Sequence, residues 1–173
     1  LRRRNLPYMI YSGNSFFERA EVKDMMAYFK LVVNINDDES FKRIVNKPAR
    51  GIGDTSLSAL TAAASNHKTS LFKAAFAEDL EQFGLKQAAI KKIREFCNMI
   101  GSLTLKANEM NAHDIAKKIA DESGLYMFYK MDTSIEGQSR TANVEELVDS
   151  IKLFIEEKHG EYIEELQAEG QLS

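Results

Sequence analysis

Residues 47–56 read Lys-Pro-Ala-Arg-Gly-Ile-Gly-Asp-Thr-Ser, two bare glycines beside a cation and two hydroxyls. These residue types support the binding of a phosphate by main chain. Gly51 and Gly53 can take positive φ and carry no Cβ, which lets a nucleic-acid backbone approach the polypeptide closely. Asp54, Thr55 and Ser56 then open a helix, whose first amide N–H groups have no intrahelical partner and lie at the positive end of its dipole. A phosphate held there needs no contact to bases. Arg50 and Thr55 add a cation and a hydroxyl at the same spot, as in a helix-hairpin-helix unit. A Gly-x-Gly between two helices is also a common tight turn, and that plainer reading stands beside the first.

Two helices must position this hairpin. Phe41, Ile44 and Val45 fall at helical spacing after the acidic start Asp37-Asp38-Glu39, and Pro48 stops that helix; Leu57, Leu60 and Ala64 repeat the spacing afterwards. A helix from about Glu21 to Val33 precedes them, with Val22, Met25, Met26, Phe29 and Val33 as its apolar stripe. Further helices are expected near 69–77, 85–107, 111–123, 136–157 and 159–169, with Thr69, Asn111 and Asp132 as caps or turn residues. The run Tyr8-Met9-Ile10-Tyr11 alone is β-prone, entered through Pro7 and left through Ser12-Gly13-Asn14. A lone strand needs a partner: a sheet elsewhere, or a second copy of the chain swapping residues 6–14.

With 173 residues, two prolines, no tryptophan and periodic runs of Ala, Leu, Lys and Glu, the chain is expected to be a mostly helical domain with a proper core. No apolar run reaches membrane-spanning length, so no membrane partner is expected, and a start at Leu-Arg-Arg-Arg suggests a piece of a longer protein. Cys97 stands alone within the pattern Ile93, Phe96, Ile100 and is read as a core residue. His67, His113 and His159 have no ligand-spaced partners, so no metal site is expected. Charge is unevenly spread: residues 1–100 hold 16 Lys and Arg against 11 Asp and Glu, residues 101–173 hold 7 against 15. A DNA-facing surface belongs to the first part. The Glu-rich stretch Glu156–Glu169 reads as a solvated helix face or a partner-binding one. Tyr126, Phe128 and Tyr129 suit core or edge packing better than base stacking.

Nucleotide chemistry is missing from these residues. There is no Gly-x-x-x-x-Gly-Lys-Ser/Thr, Gly-x-Ser-x-Gly or His-Glu-x-x-His, and no Ser/His/Asp set, so no catalytic residue is assigned. A helix-hairpin-helix glycosylase would require a Lys or Asp beyond the hairpin in a base-accepting pocket, and no such constellation occurs.

Several ordered stretches resemble the UvrD/PcrA/Rep family of superfamily 1 DNA helicases: Tyr8-Met9-Ile10-Tyr11-Ser12-Gly13, Phe16-Phe17-Glu18-Arg19-Ala20-Glu21-Val22-Lys23-Asp24, Tyr28, Asp37-Asp38, Arg43-Ile44-Val45-Asn46, Pro48 and Arg50-Gly51-Ile52-Gly53. The likeness continues through Ser123-Gly124-Leu125-Tyr126, Glu136, Gln138-Ser139-Arg140, Asn143 and Glu146, and the family has two glycines where this chain has Ser12-Gly13. The resemblance implies that residues 1–24 are the edge of RecA-like motor domain 2A, which explains the lone strand, and that 25–173 are the helical 2B accessory domain. It implies duplex-DNA backbone contact, without sequence preference, by Arg50, Gly51, Ile52, Gly53 and Thr55, and contact near single-stranded DNA by Arg19. For Arg19 an ion pair with Glu18, Glu21 or Asp24 is the alternative. The implied parent is a 3′ to 5′ ATP-dependent helicase of the bacterial cytosol, acting in repair or replication restart. ATP and Mg would be bound outside this chain, and the partners would be the single-strand/duplex junction, the motor domains and repair proteins. The rival is an autoinhibitory or protein-interaction module with no significant DNA affinity of its own.

Overall fold

The computed structural model describes residues 15–168, apart from the side chains of 152–167. The expected strand at 8–11 and the swapped arm at 6–14 lie outside the described residues. Every regular element among those residues is helical: α1 (Ala20–Val33), α2 (Asp38–Ile44), α3 (Asp54–His67), α4 (Leu71–Ala74), a 3-10 turn (Leu80–Phe83), α5 (Gln87–Ala107), α6 (Ala112–Glu122), α7 (Leu125–Lys130) and α8 (Ile135–Ala168). None is long and apolar enough to cross a membrane.

Helix α1 is the hub, packing against α2, α5, α6 and α8. A helix touched on so many sides cannot keep one narrow apolar stripe, and here the pattern differs from its expected form. Val22, Met25, Tyr28, Leu31 and Val32 are buried, Met26 and Phe29 are half-buried, and Val33 is exposed. Even Glu21 and Asp24 are buried, which demands partners. Glu21 accepts from Asn143 Nδ2 of α8 at 2.7 Å, and Asp24 accepts from Arg43 Nε of α2 at 2.7 Å, with Lys47 Nζ at 3.7 Å. Each carboxylate thus ties α1 to a different neighbour.

Helix ends carry their caps. Asp37 accepts from Ser40 N and Oγ at the start of α2, and these bonds hold its carboxyl below the usual range. Ser70 caps α4, one residue after the expected Thr69, and Asn111 caps α6 by accepting from Asp114 N at 2.9 Å. The expected pair of helices over 136–169 is one continuous helix: Gly160 falls inside α8, at a helix-interior cost of about 1 kcal/mol that does not break it. The acidic tail therefore has helical backbone as far as Ala168.

Helix α5 buries Ile90, Ile93, Phe96, Cys97, Ile100 and Leu103, and Phe96 meets Phe41 of α2 edge-on with ring centroids 5.4 Å apart. Burial pushes the Cys97 thiol from its ordinary 9.0 up to about 12, and the Tyr28 hydroxyl from 10.0 up to about 12. Both groups are held protonated in the folded chain and ionise earlier when it unfolds. The stability they support is complete below pH 9 and is lost as pH climbs towards 12. The urea midpoint should accordingly fall across this window, less steeply in Cys97→Ala. A flat midpoint would mean that these groups are not protected as described.

Candidate functional site

The segment from Val45 to Gly53 joins α2 to α3, and the surrounding elements hold it from several directions. From α1, the Tyr28 hydroxyl donates to the Lys47 carbonyl and accepts from Arg50 Nη2 at 2.6 Å. Arg50 itself turns inward. Its Nη1 lies 3.1–3.2 Å from the carbonyls of Ile44, Val45 and Lys47, and Nη2 donates to the Ser123 carbonyl at 2.8 Å. The guanidinium thereby satisfies carbonyls at the C-terminal end of α2, where a cation is also favoured by the helix dipole. It stacks near Phe96 of α5, 5.0 Å from the ring centroid, and near Tyr28 at 5.8 Å.

Asn46 folds the segment back on itself. Its Oδ1 accepts from Arg50 N at 2.7 Å and from Ile52 N at 3.2 Å. Ile52, 2% exposed, plugs into the core between the two glycines. The Lys47–Pro48 peptide is cis, and Pro48 abuts the α6–α7 junction, where a Cβ on Gly124 would lie 3.4 Å from Pro48 Cγ. Gly124 has φ +82°, so both backbone conformation and space favour glycine there.

The two hairpin glycines differ in kind. Gly51 has φ +77°, and a Cβ there would lie 2.7 Å from Nζ of Lys92 on α5. Gly53 has φ −86° and ψ −175°, extended backbone open to any residue, and a Cβ on it would meet nothing within 4 Å. Folding does not require glycine at 53. Gly51, Gly53, Asp54 and Thr55 are exposed, and no side chain caps the first amides of α3. The outward surface is thus main chain, the Thr55 hydroxyl and the Lys92 ammonium beside Gly51, with the Asp54 carboxylate opposing an anion.

Gly51, Gly53 and Thr55 therefore share one exposed surface, while Arg50 and Ile52 point into the protein and hold it in shape. Arg19 is separate. It is exposed at the start of α1 and lines a groove with Glu21, Ile135, Glu136, Ser139 and Arg140. The alternative ion pair for it is not formed among the described residues, because Glu18 pairs with Lys23, Glu21 is taken by Asn143 and Asp24 by Arg43. Sequence reading gave no site role to Tyr28, Asn46, Phe96, Ser123 or Lys92, although Tyr28, Asn46 and Ser123 fall within the stretches that carry the resemblance. Only Asn46 carried a local signal, an amide side chain a few residues before a turn. Phe128 is exposed and Tyr126 half-buried against the core, its hydroxyl donating to Glu145, whereas Tyr129 is buried.

Against known proteins, the family model described as the UvrD-like helicase C-terminal domain matches residues 1–172. The chain is 35% identical to DNA helicase II of Escherichia coli over 164 residues, 95% of this chain and 23% of the relative. It is 36% identical to DNA helicase II of Haemophilus influenzae over 168 residues, 97% of this chain and 23% of the relative. To the ATP-dependent DNA helicase PcrA of Bacillus subtilis it is 35% identical over 154 residues, 89% of this chain and 21% of the relative. The chain thus spans less than a quarter of the length of these relatives.

Proposed function

Because the chain belongs to the family of UvrD-like helicase C-terminal domains, we propose that it is the 2B accessory domain of a 3′ to 5′ ATP-dependent DNA helicase, entered from the edge of motor domain 2A. Its task is to grip the backbone of duplex DNA ahead of the fork, without sequence preference, while motor domains elsewhere in the protein bind ATP and Mg and translocate on one strand. Residues 1–24 belong to 2A in this reading and 25–173 to 2B. The passage between them falls within α1, so one rigid helix carries the chain from motor to accessory domain. The units formed by α2, the 45–53 segment and α3 act as the helix-hairpin-helix. The parent works on DNA in the bacterial cytosol, in repair or replication restart.

One observation carries the reading: Gly53 is bare where neither φ nor packing asks for glycine. The empty space lies beside the uncapped start of α3, where a phosphate oxygen would meet main-chain amides. Gly51 and Thr55 flank it, and Arg50 and Ile52 serve by setting the shape of the loop.

Fluorescence anisotropy of a labelled duplex with a 3′ tail, titrated with this chain, tests it. The chain should bind with a dissociation constant of roughly 10⁻⁴ to 10⁻⁶ M, weakening steeply with salt. Gly53→Val should lower affinity about tenfold, the scale of one lost charge-assisted contact, while leaving the far-UV spectrum unchanged and costing stability only the roughly 1 kcal/mol of a poorer helix N-cap. Equal binding by Gly53→Val would sink the duplex-gripping role.

A second reading, an autoinhibitory or protein-interaction module, is favoured by Met127, Phe128, Met131 and Ile135, which are exposed in succession along α7 and the start of α8. It takes the lead if the parent chain shows no binding even at low salt.

A further inference from the structure

The loop proposed to hold a phosphate keeps no arginine free for it, since the Arg50 guanidinium is committed to carbonyls of Ile44, Val45 and Ser123 and to the Tyr28 hydroxyl. A main-chain phosphate site on a duplex gains affinity from a cation that can move to meet the phosphate, and the fold brings one from a distant part of the sequence. Lys92, in the second turn of α5, lays its side chain along Gly51. A Cβ at position 51 would sit 2.7 Å from its Nζ and 3.4 Å from its Cδ and Cε. The absent side chain of Gly51 is therefore what gives this lysine its place.

Lys92 is exposed and makes no hydrogen bond or ion pair among the described residues. Its immediate carboxylate neighbour on the same helix, Glu95, does not pair with it, and the Asp54 carboxylate across the loop does not either. Elsewhere, around the groove between α1 and α2, Lys23, Lys42 and Arg43 are each held by a carboxylate, Glu18, Glu39 and Asp24, and Lys30 is left without an ion pair among the described residues but lies away from any bare glycine loop. An ammonium pressed against an exposed glycine of the loop and unpaired among the described residues is poised for an anion at that loop.

We propose that Lys92 is the phosphate-contacting cation of this site, binding a backbone phosphate of duplex DNA together with the main chain of Gly51 to Thr55, while Arg50 acts only as a positioning residue. The proposal rests on the duplex-gripping reading above and adds to it a residue from a different helix. Lys92 contributes point charge on a flexible stem, suited to a backbone whose sequence is not read.

The test is the slope of log binding constant against log salt for the labelled duplex with a 3′ tail, measured with the 173-residue chain. Lys92→Met keeps the aliphatic cover over Gly51 and removes the charge. It should flatten the slope by about 0.9, the value of one phosphate contact on B-DNA, and so weaken binding about tenfold at low salt, with the gap closing as salt rises. Its urea midpoint should match the parent chain, and Lys92→Arg should restore the slope. If Gly53→Val weakens binding but Lys92→Met leaves slope and affinity unchanged, the duplex grip stands and Lys92 is not its cation. If Gly53→Val has no effect, the reading beneath the proposal fails and the proposal fails with it, even where Lys92→Met flattens the slope through contact elsewhere.

Discussion

Replacing Arg50 with alanine is expected to cost the fold about 3 kcal/mol, a loss set by stranded hydrogen-bond acceptors. The guanidinium donates to the Ile44, Val45 and Ser123 carbonyls and to the Tyr28 hydroxyl, joining α2, the α6–α7 junction and α1 at one point. Each bond to a charged donor contributes about 1.5–3 kcal/mol in isolation, so a simple sum would be far larger. The side chain is only partly buried, however, and water can reach several of the vacated acceptors. With a urea m-value of about 2 kcal/mol/M, the midpoint should drop by about 1.5 M. Arg50→Lys should recover less than half of the loss, because one ammonium cannot span acceptors on three elements as a planar fork does. A variant within about 0.5 kcal/mol of the parent would place the residue among ordinary surface positions and overturn its role as organiser. Duplex affinity should fall in Arg50→Ala as well, through disorder of the loop, with the salt slope preserved because no phosphate contact has been removed. That preserved slope separates Arg50 from Lys92.

The physical reason for this division of labour also explains what could be read from the sequence. Periodicity is local, and it located α1, α2, α3, α5 and α6 and the buried stripe of α5, because side chains three and four residues apart face the same neighbour. It failed where tertiary context overrides it. Helix α1 buries Tyr28, Leu31 and Val32 beyond its expected stripe because four helices surround it, a circumstance absent from its own fourteen residues. Helix α8 continues through Gly160 although a glycine commonly marks a boundary. At the site, the residue types of the 47–56 stretch were legible but their directions were not. Arg50 reads as a surface cation until Ser123, seventy-three residues away, supplies the carbonyl that turns it inward. Lys92 reads as one more helix-surface lysine until the fold lays it over Gly51. In both cases the information lies in long-range contacts that no spacing rule contains.

Ile52→Ala should destabilise the chain by about 2–4 kcal/mol, the range for truncating a large aliphatic side chain in a packed core. Ile52 is 2% exposed and sits between two exposed glycines, so it is the only side chain of the Gly-Ile-Gly triplet able to anchor it. Its amide is also held by Asn46 Oδ1, at 3.2 Å. The plug and the amide bond restrain the same residue, so the effects of Ile52→Ala and Asn46→Ala should not add: once the plug is gone, the amide bond is easily lost, and the double variant should fall short of the sum by about 0.5 kcal/mol or more. Ile52→Val, which removes one methylene, should cost only about 1 kcal/mol. Binding should follow anchoring: at a temperature where Ile52→Ala remains folded, its affinity for the tailed duplex should drop several-fold, because a loop with more conformations loses more entropy when a phosphate orders it. Gly53→Val would then impair binding with the anchor intact, and Ile52→Ala would impair the anchor first and binding as a consequence. An unchanged urea midpoint in Ile52→Ala would contradict the buried plug. Full duplex affinity in a clearly destabilised Ile52→Ala would instead show that the loop needs no preorganisation to hold DNA.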